Sequence, residues 1–152
     1  MVKISAYIVT LNEEKRLGKT LQALKKVADE IFVIDSGSTD KTQEIAEKYG
    51  AKFLFHKWKN ISAQKHYGQE LCRNDWVLSL DADEVLSPEL IAEIKEKMKN
   101  PAADAYKMKI CDMLPGDKKP RLLAKTYNQV RLYNRKKSNM PDDLTHDRVV
   151  VG

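Results

Sequence analysis

Cysteine is scarce in this sequence. Its two thiols, Cys72 and Cys111, stand far apart and show neither metal-ligand spacing nor a disulfide framework, which fits a reducing compartment and ordinary core or near-surface roles. No apolar run approaches bilayer length, so no segment is expected to span a membrane. The opening residues 1–10 are apolar but run straight into Asn12-Glu13-Glu14-Lys15-Arg16 without a cleavage-type sequence. They read as a strand and not as a signal peptide, and the expected location is cytoplasmic. Internal repeats and low-complexity segments are also missing.

Charge is modest at +5, but the basic residues gather late, at Lys118-Lys119-Pro120-Arg121 and Arg135-Lys136-Lys137. Neither cluster has the aromatic interleaving of a nucleic-acid platform, so no nucleic-acid partner is expected. Two readings stay open: solvated loops, or a peripheral contact with anionic lipid at the inner face of the membrane or with an acidic acceptor. A length of 152 residues allows one domain with a core of its own.

The first two thirds of the chain alternate strand-like and helix-like patterns. Strands are expected at 4–10, 31–34, 51–55 and 76–80, and helices at 13–27, 40–49, 62–72 and 88–98. In the first helix Leu17, Leu21, Leu24 and Val27 fall at helical spacing. Asp40 with Gln43 makes a capping box, Gly50 a C-terminal stop, and Ser87-Pro88 an N-cap followed by a first-turn proline. Strands separated by helices imply parallel pairing and right-handed crossovers. The expected class is therefore α/β, a mostly parallel open sheet flanked by helices. After Asn100-Pro101 the pattern changes: 105–111 and 129–133 read as strands with no clear helix between them, giving a mixed or hairpin C-terminal part. Turns are expected at 118–121 and 139–143, and a last strand at 149–151.

The chemistry concentrates at strand ends. An apolar run, Val77-Leu78-Ser79-Leu80, stops in Asp81-Ala82-Asp83-Glu84. If the chain stays extended there, Asp81 and Asp83 point to one side and Ala82 to the other. Two hard oxygen donors suit Mg²⁺ or Mn²⁺, with water and a substrate diphosphate completing the shell. A solvated turn is the plain alternative, and Glu89 is accounted for by the dipole of the helix that Ser87 caps. The dipole account does not extend to Asp81 and Asp83, which crowd charge upstream of the cap. Thr10-Leu11-Asn12-Glu13 and Asp35-Ser36-Gly37-Ser38 stand at two further strand ends, and in open α/β sheets ligands bind at that edge.

These three segments, Ser5 to Glu14, Ile31 to Thr42 and Leu78 to Glu84, resemble the ordered motifs of glycosyltransferase family 2, and the Asp-Ala-Asp-Glu form is similar to its lipopolysaccharide core glucosyltransferase branch. The resemblance implies a GT-A fold over residues 1–152 as a single domain, with 1–100 as the nucleotide-binding half and 101–152 as the start of an acceptor half, cut short. It implies an inverting, metal-dependent enzyme that moves a sugar from a nucleotide-sugar donor, a UDP-sugar, to a cell-envelope glycan or glycolipid acceptor. Asp35 would accept from the ring imide of the base, and Thr10 and Asn12 would line the base and ribose pocket. Gly37 would let the backbone approach the nucleotide. Lys65 would lie near the nucleotide, although a helix-surface lysine explains it as well; its neighbours Gln64 and His66 carry no assigned role. Asp83 would coordinate Mn²⁺ or Mg²⁺, and Asp81 would reach the ribose or a metal-bound water. Thr145-His146-Asp147-Arg148 resembles the family's His-Glu element with Asp in place of Glu, which makes Asp147 the candidate base. Two rival functions are a donor-binding module without turnover and a sugar-phosphate nucleotidyltransferase. The second would carry a Gly-rich phosphate loop, which the sequence lacks.

Overall fold

The computed structural model describes residues 1–114, 116–117, 121–139 and 150–151. Six strands form the main sheet: β1 (Ile4–Thr10), β2 (Glu30–Asp35), β3 (Lys52–Phe55), β4 (Trp76–Asp81), β5 (Ala105–Cys111) and β6 (Thr126–Asn134). The helices α1 (Leu17–Leu24), α2 (Thr42–Lys48), α3 (Ile61–Leu71) and α4 (Pro88–Lys97) connect them, and a short ladder joins β7 (Ser138–Asn139) to β8 (Val150–Val151).

The sheet runs in the order β3-β2-β1-β4-β6-β5. Its first four strands pair in parallel, whereas β6 lies antiparallel to both β4 and β5. This is the α/β class with a mixed C-terminal part that the sequence pattern predicts. Central strands covered on both faces explain the near-continuous apolar runs. From β1, Ala6 and Ile8 enter one core with Leu17, Leu21, Leu24, Ile94 and Met98. Tyr7 faces the other side, in a smaller core with Phe32, Ile34, Val77 and Tyr133.

The parallel register lines up one functional edge. Thr10 stands opposite Asp35, Asp35 opposite Phe55, and Val9 opposite Asp81. On the other flank β6 pairs with β4 as far as Leu132 opposite Leu78. Continued by one residue per position, that register sets Gln129 level with Asp81, so the β5–β6 connection projects past the same edge.

Helix boundaries differ from the expected ones at both ends of α1, which stops at Leu24 rather than at 27, and at the start of α2, which is Thr42 rather than 40. The first helix begins at Leu17 rather than at 13; the Glu13 carbonyl accepts from the Arg16 and Leu17 amides in a preceding turn, and the Glu13 and Glu14 amides donate to Thr42 Oγ1 (2.9 Å) and Asp40 Oδ2 (3.1 Å). The capping box at α2 does not form. Asp40 Oδ1 accepts from the Thr42 amide at 2.9 Å, while Gln43 turns away to Glu47 Oε1 at 2.9 Å. Gly50 has φ +76°, as a C-terminal stop requires. Ser87 caps α4 through the Leu90 amide at 3.2 Å, and Asn60 caps α3 through the Ala63 amide at 2.8 Å. Cys72 is buried, Cys111 is half-buried, and both are free thiols. No helix among the described residues is long and apolar enough to cross a membrane.

α3 crosses the sheet at Gly68. A Cβ there would lie 2.6 Å from Tyr7 Cδ2 and 2.7 Å from Tyr7 Cγ, inside any real contact distance. Helix propensity alone would make Gly68→Ala favourable by about 1 kcal/mol. Overpacking against a buried ring costs about 1–3 kcal/mol, so the clash wins. Gly68→Ala is expected to lower the urea midpoint without changing the slope, and a stabilised variant would show that α3 is free to lift from Tyr7.

Candidate functional site

At the ends of β1 and β2 two loops are laced together by side-chain hydrogen bonds. Asp35 is buried at the centre. Its Oδ2 accepts from the amides of Gly37 (2.8 Å) and Ser38 (2.7 Å), and its Oδ1 from the hydroxyls of Ser38 (2.5 Å) and Thr10 (3.0 Å). Four donors match the acceptor capacity of one carboxylate. Gly37 adopts φ +117° to present its amide, a conformation open to glycine and strained for other residues. Asn12 sits at φ +53°, where asparagine is tolerated. Its amide donates to Ser38 Oγ at 2.8 Å and its Oδ1 accepts from the Thr39 amide at 2.9 Å. Thr10, Asn12, Asp35 and Gly37 therefore come together in one built corner.

The start of α3 closes that corner from the side. Gln64 Nε2 donates to Ser36 Oγ (3.1 Å) and to the His56 carbonyl (2.8 Å), so its Oε1 is the acceptor for His56 Nδ1–H at 2.8 Å. The His56 ring stacks on Tyr67 with centroids 4.1 Å apart. Phe55, at the end of β3, stays exposed within 3.7 Å of where a Gly37 Cβ would stand.

At the end of β4 the arrangement is ionic. Lys65, with a side chain only 1% exposed, approaches Asp81 Oδ1 at 3.3 Å. The Arg131 guanidinium, buried on β6, reaches Asp81 Oδ2 at 3.0 Å and Glu84 Oε1 at 2.5 Å. Burial opposes the charge on Arg131, but Asp81 and Glu84 together hold its pKa above the ordinary value. Burial dominates at Glu84 and raises its carboxyl despite Arg131. The chain does not remain extended here: β4 ends at Asp81, the Glu84 amide turns back to the Asp81 carbonyl at 3.0 Å, and Thr20 Oγ1 holds the Ala82 carbonyl at 2.8 Å. Ala82 is thereby buried, and Asp83 is carried outward with its side chain 53% exposed.

Asp83 and Asp81 differ as metal ligands for this reason. Among the described residues the ion pair recorded at Asp83 is to Arg16 Nη1 at 3.5 Å, a loose and exposed contact. Asp81 meets a cation on each oxygen. No cluster of three ligating side chains occurs among the described residues. A single accessible carboxylate still fits Mg²⁺ or Mn²⁺, which bind nucleotide phosphates through one or two protein carboxylates and several waters. Asp147 lies outside the described residues.

Arg131 escaped the reading of the sequence, where Val130-Arg131-Leu132-Tyr133 counted only as a strand. The available signal was its position: an arginine inside a buried apolar run requires a carboxylate partner. Asn60, His56 and Gln64 carried no such signal, since their roles depend on α3 docking beside the β2 end.

Residues 5–150 match the family described as Glycosyl transferase family 2. The chain belongs to that family. An uncharacterized glycosyltransferase of Rickettsia conorii is 43% identical over 97% of this chain and 55% of its own length. The lipopolysaccharide core biosynthesis glycosyltransferase LpsC of Rhizobium meliloti is 37% identical over 61% of this chain and 38% of its own. The chain thus spans about half the length of the curated relatives it matches end to end. Among solved structures, Staphylococcus aureus TarS superposes with a TM-score of 0.57 at 25% identity, covering 68% of this chain and 20% of TarS. The fold is accordingly the GT-A type. Solved structures of like fold include one crystallised with UDP and one with Mn²⁺, UDP and phosphoglyceric acid.

The ionic corner makes a pH-dependent prediction. Arg131→Met leaves Asp81 and Glu84 without their shared guanidinium, at an expected cost of about 3 kcal/mol near neutral pH. In that variant Glu84, whose carboxyl burial already raises, also loses its cation, so its folded pKa lies further above its unfolded one. The native state then binds the additional protons, and stability falls as pH rises through the carboxylate range. Urea melts between about pH 4 and about pH 8 should show a deficit that shrinks on acidification. A deficit independent of pH would assign the loss to packing.

Proposed function

We propose that this domain binds a nucleotide sugar, most simply a UDP-sugar, along the carboxyl edge of β1, β2 and β4, and serves an inverting, metal-dependent transfer to a cell-envelope glycan or glycolipid on the cytoplasmic side. The observation that carries this reading is the convergence at one sheet edge of a rigid polar corner at Thr10, Asn12 and Asp35 with the outward carboxylate of Asp83. The family assignment supports the reaction class, and the likeness to LpsC supports an envelope acceptor.

In this reading the Asp35 loop and Asn12 form the wall of the base and ribose pocket, with Gly37 leaving space for the nucleotide beside Phe55. Asp83 would hold Mn²⁺ or Mg²⁺. When bound, that ion supplies the positive charge that stabilises the departing diphosphate. Lys65 and Arg131 hold Asp81, which keeps the turn in place and leaves Asp81 within reach of the ribose or of a metal-bound water. Asp147 is the proposed base. It takes the proton of the acceptor hydroxyl as that oxygen bonds to the anomeric carbon, and the bond from that carbon to the diphosphate oxygen breaks. Attack from the face opposite the leaving group inverts the centre.

Calorimetric titration with several nucleotide sugars, with and without Mn²⁺, tests the donor half. Metal-dependent binding is expected for the parent chain and its loss for Asp83→Ala. Equal binding by parent and variant, or binding indifferent to metal, would remove the proposal. Product analysis tests the rest: Asp147→Asn should retain donor binding and lose transfer, and binding without product in the parent would favour the donor-binding module.

A further inference from the structure

Leu122 and Leu123, in the β5–β6 connection, are the most exposed large apolar residues described, at 101% and 94%; Met113 and Leu114, on its other arm, are 47% and 55% exposed. Isolated exposed leucines need no explanation, but four large apolar side chains in one connection do. Between residues 105 and 127 the sequence carries six basic residues against two acidic ones, nearly the whole chain's excess of +5. Lys109 and Lys125 are exposed, and one of the two acids, Asp117, is already paired with Arg121 at 3.0 Å.

An apolar tip ringed by cations matches a surface that offers hydrocarbon and negative charge together. Anionic phospholipid provides both within a few ångströms of depth. A second protein would need a matching acidic rim around an apolar pocket, and exposed carboxylates on the helices are spread out, among them Glu44 and Glu47 of α2, Glu70 of α3 and Glu93 and Glu96 of α4, which speaks against another copy. Placement adds to the argument. The hairpin passes the carboxyl edge of the sheet, and Arg131 on β6 reaches Asp81 and Glu84 at that edge.

We propose that the β5–β6 connection docks on an anionic phospholipid surface through its described residues, with Leu122 and Leu123 entering the headgroup layer and Lys109 and Lys125 meeting lipid phosphates. Docking in this way turns the edge that carries Asp83 toward the lipid. That orientation rests on the glycolipid-acceptor reading above; the contact itself stands on the hairpin alone.

The test is flotation of the full chain with phosphatidylcholine vesicles, with and without phosphatidylglycerol. Binding is expected only with phosphatidylglycerol, falling with added salt and weakening about fivefold for each of Lys109 and Lys125 changed to Gln. The double change Leu122→Ser and Leu123→Ser should weaken it at least about tenfold. Because both leucines are solvated, thermal melting of that variant should match the parent. Absence of flotation with anionic vesicles overturns the proposal, as does flotation indifferent to the leucine pair. Self-association that disappears in the leucine variant, without vesicle binding by the parent, assigns the patch to a second copy and also overturns it. Asp83→Ala should float like the parent. A parent that floats but binds no nucleotide sugar would sink the donor reading and leave the contact standing, and the reverse pattern would do the opposite.

Discussion

Two cations set against two carboxylates at the end of β4 are the constraint around which the site is arranged. Lys65 from α3 and Arg131 from β6 both close on Asp81, and Arg131 also takes Glu84. The set is neutral in sum. This matters because a buried charge left unmatched costs several kcal/mol, whereas a matched set costs little beyond its desolvation. The element before β4 and a strand some fifty residues beyond it are thereby tied to one turn. The turn cannot extend as a continuation of β4, and Asp83 has nowhere to go but outward.

The neighbouring corner solves a similar problem without cations. Asp35 is buried, yet its partners are two amides and two hydroxyls supplied by its own loop and by Thr10. Amides and hydroxyls converging on one carboxylate fix the backbone around it. The expected contact from Asp35 to a base imide would have to share an oxygen with one of these donors. The rigid wall is the more secure contribution of this residue, since Gly37, Ser38 and Asn12 all take their places from it.

Much of the fold was legible because its signals are local. Uniform apolar runs gave β1, β2 and β4, Ser87-Pro88 gave the start of α4, and Gly50 gave the end of α2. The start of α1 was not legible, since Glu13 and Glu14 have fair helical preference and the partners of their amides, Thr42 and Asp40, come from a different loop. The same limit applies to the site. Asp81-Ala82-Asp83 announced itself, but alternation along a strand suggested that its two carboxylates act as a pair. The turn after Asp81, set by Thr20, Lys65 and Arg131, separates them, and none of those three contacts has a signature near position 81.

The two corners differ in what can disturb them. Hydroxyls and amides around Asp35 do not titrate near neutrality, so that wall depends on geometry and hardly on salt. The quartet around Asp81 is neutral and mostly shielded, so it too presents little field outward. Among the described residues Asp83 is an outward carboxylate at this edge that meets only a solvent-screened arginine, Arg16, 3.5 Å away. A divalent ion held there would carry one positive charge beyond what Asp83 cancels, and a nucleotide diphosphate brings more than enough negative charge to match it. On the proposed reading, the arrangement would favour the ion and the diphosphate together over either alone, because an unmatched Arg131 at this edge would attract the diphosphate directly.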